Sequence, residues 1–340
     1  MSRFFLLLAA FTMISGCASL RSEVAEGVKP VMATEELESS ELLDVAIVVF
    51  DSEELTDKQI RELGLSEEIR QAEERYIPIH LKYTMQRTGQ WGSVRVVPAE
   101  STGHVQVKGK ITHSDGERLA LDIEAFDARG IKWFEKSYSE KPRLVEYHAL
   151  AAGEKDPFQD LYNTIANDLL EQRSQLSNDD VRMIQQVSEL RVAQDMAADA
   201  FAEHLSRDEK GLYSLVRLPV DDDPMLQRVR AVQVRDDMLL DTINSYYEVY
   251  YNDLWQPYAD WRKFYSEEIS ALREVEKQAL TRQLLGLASV VGGVLLSSNS
   301  NTVSSSNLPA VMVIGGAAAI YSGFEKRAEK KPTRNVRESS

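Results

Sequence analysis

One cysteine, Cys17, stands in 340 residues. A disulfide needs two thiols and a thiolate metal site needs several, so neither holds this chain together. Histidine is sparse too: His80, His104, His113, His148 and His204 are scattered along the sequence. His104 and His113 lie nine residues apart on one expected strand, point to opposite faces, and cannot share a metal locally. All five read as surface residues. The chain has no Walker loop, no Gly-x-Gly-x-x-Gly, no Gly-x-Ser-x-Gly and no His-Glu-x-x-His, and so no signature of nucleotide, serine-hydrolase or zinc-protease chemistry. No catalytic residue, metal ligand or cofactor is expected, and the chain does not read as an enzyme. Positive charge is also short: 39 Lys and Arg face 54 Asp and Glu, a formal net charge of −15. So acidic a bulk repels phosphate backbones and anionic lipid, which excludes nucleic acid as a partner. No apolar run reaches the ~20 residues that a spanning helix needs.

What is present begins with Arg3, followed by the apolar core Phe4 to Ile14 and then Ile14-Ser15-Gly16-Cys17. That core is too short to span a bilayer and suits a cleaved export signal. The ending resembles the lipobox of bacterial lipoproteins, in which small residues fit the peptidase cleft and the cysteine thiol takes the lipid. The resemblance implies a signal peptide over 1–16 and a multiply acylated Cys17, with palmitate among the usual chains. More than one chain matters, because a single one anchors only marginally. Ala18 and Ser19 follow, and the lack of Asp at the second mature position implies the outer membrane, on its periplasmic face.

Residues 17–41 show no convincing period and carry Glu23, Glu26, Glu35, Glu36, Glu38 and Glu41; they read as a solvated, lipidated tether. An α+β domain is expected over 42–174. Leu43 to Phe50 is a strand buried on both faces. Thr56 to Gly89 is helical, broken near Ile77-Pro78, where Pro suits the first turn of a new helix. Ser93–Val97, His104–Thr112, Leu119–Ala125 and Ile131–Tyr138 are strands, with turns at Ser114-Asp115-Gly116 and Ala128-Arg129-Gly130. Asp156-Pro157 opens a helix with Phe158, Leu161, Tyr162, Ile165 and Leu169 on one face. The pattern is summarised as a small β-α-β-β-β-α sandwich. Trp91 and Trp133 read as core or edge packing.

A helical domain follows over 177–298, started by a Ser177/Asp180 capping box. A loop runs from about Ser206 to Asp223, and its Asp221-Asp222-Asp223 triplet reads as a helix N-cap rather than a calcium loop. A long helical stretch then extends from Pro224 to about Leu296. Within it Tyr247, Tyr251, Leu254, Tyr258, Trp261 and Tyr265 recur at steps of four and three, expected as the seam of an antiparallel helical hairpin or coiled coil. Pro257 predicts a kink or a restart. Two glycine-rich apolar stretches close the pattern, Leu284–Leu296 and a second helix over 308–325. Ser289 and Gly293 in the first, and Gly315, Ala319 and Gly323 in the second, allow close helix-pair packing, and the two stretches read either as inserted in the membrane or as buried in an internal or oligomer core. A polar basic tail occupies 326–340.

The first domain looks like the small periplasmic α/β modules of envelope lipoproteins, such as the curli-secretion lipoprotein family and the lipoprotein activators of peptidoglycan synthases. The likeness is architectural and carries over no functional residue. It implies a non-enzymatic role in envelope assembly, scaffolding or partner binding. The membrane is reached through the lipid, and the partner is another protein or a second copy of the chain. The alternative is a ligand-binding accessory subunit of an envelope transport system, which an apolar cavity between the sheet and the helix after Asp156 would favour.

Overall fold

Apolar side chains on both faces put β2 (Val45–Val48) inside a mixed sheet, with all four residues buried. The computed structural model describes residues 21–25, 27–56, 58–60, 67–99, 101, 103–142, 156–220 and 222–299. Cys17, His148, the second glycine-rich stretch and the basic tail lie outside them. The chain divides into two compact units, 1–263 and 264–340, and the fold described here belongs to the first.

The seven-stranded sheet runs β1 (Arg21–Glu23), β7 (Lys132–Glu140), β6 (Leu119–Asp127), β5 (Val105–Ser114), β2, β4 (Val94–Val97), and the short β3 (Asp51–Ser52) also pairs with β5. β2 is parallel to both β4 and β5, so helix α1 (Glu67–Thr88) serves as the crossover that parallel neighbours require. β5, β6 and β7 form an antiparallel meander. Its turns need left-handed backbone at Gly116 and Gly130, with φ of 77° and 84°, a conformation that costs glycine little. The fold is mixed α/β, as expected. Among the described residues four strands, not three, stand between α1 and the helix that starts at Gln159, because Val94–Val97 and all three meander segments pair.

The expected break at Pro78 is absent, and α1 runs straight through it. Proline removes the N–H that would reach the Glu74 carbonyl. That carbonyl instead accepts the N–H of Phe50 at 3.0 Å, so the helix loses a ladder bond and gains a tie to the strand end beside it. α1 is buried on two sides. Ile77, Leu81 and Met85 face the sheet core, while Tyr76, Ile79 and Tyr83 face the opposite way.

Helix α2 (Gln159–Ser174) starts on borrowed partners: Asp156 Oδ1 accepts the Phe158 N–H at 2.8 Å, and Glu140 accepts that of Leu161 at 2.7 Å. Helix α3 (Asn178–Met196) carries the Ser177/Asp180 capping box, with both halves formed. Its Val181, Ile184, Val187 and Leu190 share one core with the sheet, α1 and α2. The short helix α4 (Ala198–Phe201) follows. The segment read as a loop then contains a hairpin of β8 (Leu205–Arg207) and β9 (Tyr213–Leu215). Asp223 caps helix α5 (Pro224–Asn299), accepting the N–H of Met225 at 2.8 Å and of Leu226 at 2.9 Å. There is no restart at Pro257.

Part of the segment expected as free tether is tied down. β1 runs parallel to β7, pairing Arg21 with Ser137. Farther on, Gly27 N–H donates to Asp160 at 2.6 Å, and Val31 N–H donates to Asn167 at 2.9 Å. The carbonyls of Val28 and Lys29 accept from Asn163 and Asn167, and Ala33 N–H reaches Thr88 O at 2.7 Å. Short-range periodicity cannot reveal such a segment, because its partners lie far along the chain, from Thr88 to Asn167.

Candidate functional site: a buried clamp under the long helix

The aromatic stripe of α5 does not face a second helix of its own hairpin. Tyr247, Tyr251, Leu254, Tyr258 and Trp261 pack on Tyr76, Ile79 and Tyr83 of α1 and on Val96 of β4. Steps of three and four specify an apolar helix face but not its occupant, and α1 offers a matching one. Tyr76 stacks on Tyr251 with centroids 4.7 Å apart and meets Tyr258 at 4.5 Å. Tyr265 belongs to the second unit. Ser289 and Gly293 lie in the backbone of α5; their packing, with Gly315, Ala319 and Gly323, falls outside the described residues.

Beneath the stripe lies a charged cluster that the sequence did not announce. Arg262, one helical turn beyond Tyr258, is wholly buried. Its guanidinium lies over the rings of Phe158 (4.5 Å) and Tyr258 (4.1 Å), which suits a delocalised, weakly hydrated cation. It donates to both oxygens of the buried Asp156 at 3.4 Å and to the Tyr258 hydroxyl. That hydroxyl donates onward to Glu73 of α1, which also accepts from Ser114 at 2.5 Å. A β-bulge between Ile111 and His113 shifts the alternation of β5 and turns Ser114 inward to meet Glu73. The other Glu73 oxygen, Oε2, is buried with no hydrogen-bond partner among the described residues. Burial raises the carboxyl's pKa above its ordinary range, against the pull of Arg262.

A second chain of hydrogen bonds runs alongside. His80 is 3 % exposed, which overturns the surface reading for it, and His204 is buried as well. Burial pushes the His80 pKa down, so the ring is neutral and one nitrogen must donate. The amide of Gln159 donates to Thr84 and Asn163, both at 3.0 Å, and thereby turns its oxygen toward His80 Nε2 at 3.0 Å. Nε2 therefore carries the proton, and Nδ1 accepts from the Tyr251 hydroxyl at 2.6 Å. Asn163 passes the chain on to the Val28 carbonyl. One polar thread thus links α5, α1, α2 and the N-terminal segment.

Asn244 completes the attachment. Its amide accepts from Val96 N–H and donates to Val96 C=O, both at 2.9 Å, and so imitates a neighbouring strand along the open edge of β4. Leu240 covers Ala46, Val48 and Val97 on the sheet's other face. Arg95 pairs with Asp241 at 2.6 Å, but Asp241 is more than half exposed, so this rim pair contributes little.

The cluster gathers acids, bases and an arginine, and its groups are spent largely on one another. Arg262 Nε and the Tyr162 hydroxyl are buried with no hydrogen-bond partner among the described residues, and Phe158, Leu161, Tyr162, Ile165 and Leu169 of this region belong to the sheet's buried core. No group of three or more metal-ligating side chains gathers among the described residues, and no helix there is long and apolar enough to cross a membrane. What the geometry does is fix α5 to the body at one register. One signal for this was legible: Arg262 sits on the apolar stripe, four residues after Tyr258. Glu73, Asp156 and His80 gave none, since only the tertiary fold brings them together. No family model, curated protein or solved structure matches the chain.

Proposed function

We propose that this chain is a non-enzymatic lipoprotein of the outer membrane's periplasmic face, whose α+β body holds α5 out as a docking element for a partner helix. The observation that carries the reading is the outer face of α5. Val232, Leu239, Tyr246 and Val249 are 41 %, 60 %, 71 % and 58 % exposed, and they recur at steps of seven, seven and three. That is a coiled-coil seam on a helix whose inner face is already clamped. Such an apolar row on an otherwise acidic surface marks an interaction site. A second copy of this chain is the occupant to test first, because two identical heptad faces are self-complementary. The lipobox at Cys17 supports the location, and the mutual bonds of Arg262, Asp156, Tyr258 and Glu73 support a structural use of the buried charges. The glycine-rich pair, expected from sequence either to insert in the membrane or to pack in an oligomer, extends the same assembly role.

Two measurements test this. Membrane fractionation of wild type, Cys17→Ser and a truncation ending before Leu284, each with its signal intact, asks what anchors the chain. Wild type in the outer membrane with Cys17→Ser released supports the lipid as sole anchor. Retention of Cys17→Ser until the glycine-rich stretch is removed makes that stretch the anchor. Sedimentation of Cys17→Ser and of Leu239→Glu/Tyr246→Glu in the same background then asks about the seam. A self-associating parent and a monomeric double variant support it. A monomer in both shifts the occupant to another protein's helix.

A further inference from the structure

Away from the clamp, a cleft of about 190 Å³ lies between the outer face of β5–β6 and the β8–β9 hairpin. Lys108, Arg191 and Arg207 line it together with Phe126, Asp127 and Tyr213. Three cations meeting in so acidic a chain need a reason, and their own neighbours do not supply one. The described residues place no carboxylate against any of them. Asp127 is taken up by Arg129 at 2.7 Å. Glu124, opposite Lys108 in the sheet register, is held by Lys132 at 3.0 Å. The cations are instead steadied by rings and a carbonyl. Both guanidiniums stack on Tyr213, at 4.6 Å for Arg191 and 5.3 Å for Arg207, and Arg191 also donates to Ala128 O at 2.8 Å. Lys108 lies over Phe126 at 5.6 Å.

The backbone around them is kept bare. A Cβ on Gly130 would come within 3.2 Å of the Gly211 carbonyl, and one on Gly211 within 3.3 Å of the Arg207 guanidinium. Gly211 also has a φ of 87°. The hairpin is moored to the sheet where Tyr213 N–H meets Arg129 O at 2.8 Å. The cations are therefore arranged before any ligand arrives.

We propose that this cleft binds a phosphoryl group, carried by a small solute or by a lipid head. A carboxylate offers one charge and two oxygens, too little to satisfy three converging cations. A phosphate monoester brings a charge of about −1.5 to −2 and three acceptor oxygens. Two guanidinium forks and an ammonium suit that shape. The acidic surround makes the cleft selective, because an anion is repelled elsewhere on the body.

The test is calorimetric titration of the full chain, carrying Cys17→Ser so that no lipid competes, with inorganic phosphate and with acetate at low salt. The same titrations follow on Arg207→Gln/Lys108→Gln. Both positions are exposed, so thermal unfolding of the variant should match the parent. The expected result is one phosphate per chain, bound at least tenfold tighter than acetate, with at least a tenfold loss in the double variant. Phosphate bound no better than acetate, or bound equally by the variant, overturns the proposal. Flotation with phosphatidylcholine vesicles, with and without phosphatidic acid, then separates the sources. Recruitment by phosphatidic acid that the double variant loses assigns a lipid head. Phosphate binding without recruitment assigns a soluble ligand. Neither outcome bears on whether α5 docks a partner helix.

Discussion

Arg262 concentrates the cost and the use of the clamp. Taking an ion out of water costs several kcal/mol, which attraction and hydrogen bonds can offset only when the partners stay in place. Arg262→Met strands Asp156 in the interior and should lower unfolding free energy by about 3–5 kcal/mol in urea titrations. Arg262→Lys should rescue little of it, since a single ammonium cannot lie between two rings while reaching both Asp156 and Tyr258. A loss under about 1 kcal/mol, the range of an exposed pair, would mean that water reaches the cluster. Two other buried groups give opposed pH dependences. Glu73 has its folded pKa raised above 4.5, so the folded state keeps the proton longer. Its contribution is full below 4.5 and is lost as pH rises through the folded value. His80 has its folded pKa lowered below 6.5; the unfolded chain takes the proton first, and stability falls as pH drops below 6.5. Between these values the two slopes partly cancel. Glu73→Gln removes the falling one, so its stability should climb more steeply with pH from 4.5 to 6.5 than the wild type's. Parallel curves from urea midpoints across that window would assign Glu73 no proton in the fold.

The long helix is a cover for the sheet as much as an appendage to it. β4 has only β2 beside it, and an open strand edge invites pairing with other chains. Asn244 closes that edge at Val96 by two hydrogen bonds. Asn244→Leu should leave a buried N–H and a buried C=O unmet, at about 1–3 kcal/mol for each group. Hydrogen exchange at the Val96 amide should speed up accordingly; unchanged exchange would show that the edge is closed by apolar cover from Leu240 alone. The elements themselves were largely readable in the sequence. Periods of two marked β5 to β7, glycines at 116 and 130 marked their turns, and the capping residues Ser177, Asp180 and Asp223 marked two helix starts. Their partners were not readable, because a period states which face is apolar and leaves open what covers it. The stripe from Tyr247 to Trp261 therefore suggested a helical hairpin and met α1 instead. Pro78 misled for a related reason: the carbonyl that it frees is taken by Phe50, a residue that no local rule links to it.

The docking of the N-terminal segment decides how far the body can stand from a membrane. If residues 17–41 were free, about twenty-five residues of coil would separate the lipid from the domain, with a root-mean-square span of about 25–30 Å. In the fold the sheet already begins at Arg21, paired with Ser137. Four residue steps from Cys17 cover at most about 14 Å. On the proposed anchoring, the β1–β7 edge therefore lies within about 14 Å of the lipid surface. The single cysteine of the chain makes this measurable: once Cys17 carries lipid, an introduced thiol is a unique labelling point. Glu135 on β7 is mostly exposed and sits two residues from the Arg21 pairing. The lipidated Glu135→Cys protein, labelled with a donor dye and reconstituted into vesicles with acceptor-labelled head groups, should show strong energy transfer. Inserting twenty Gly/Ser residues after Ser19 adds a span of about 25 Å and should cut that transfer to less than about half. Equal transfer in both proteins would mean that the anchor segment leaves β7 when the chain is on a membrane, and the short tether would then be a property of the free protein alone.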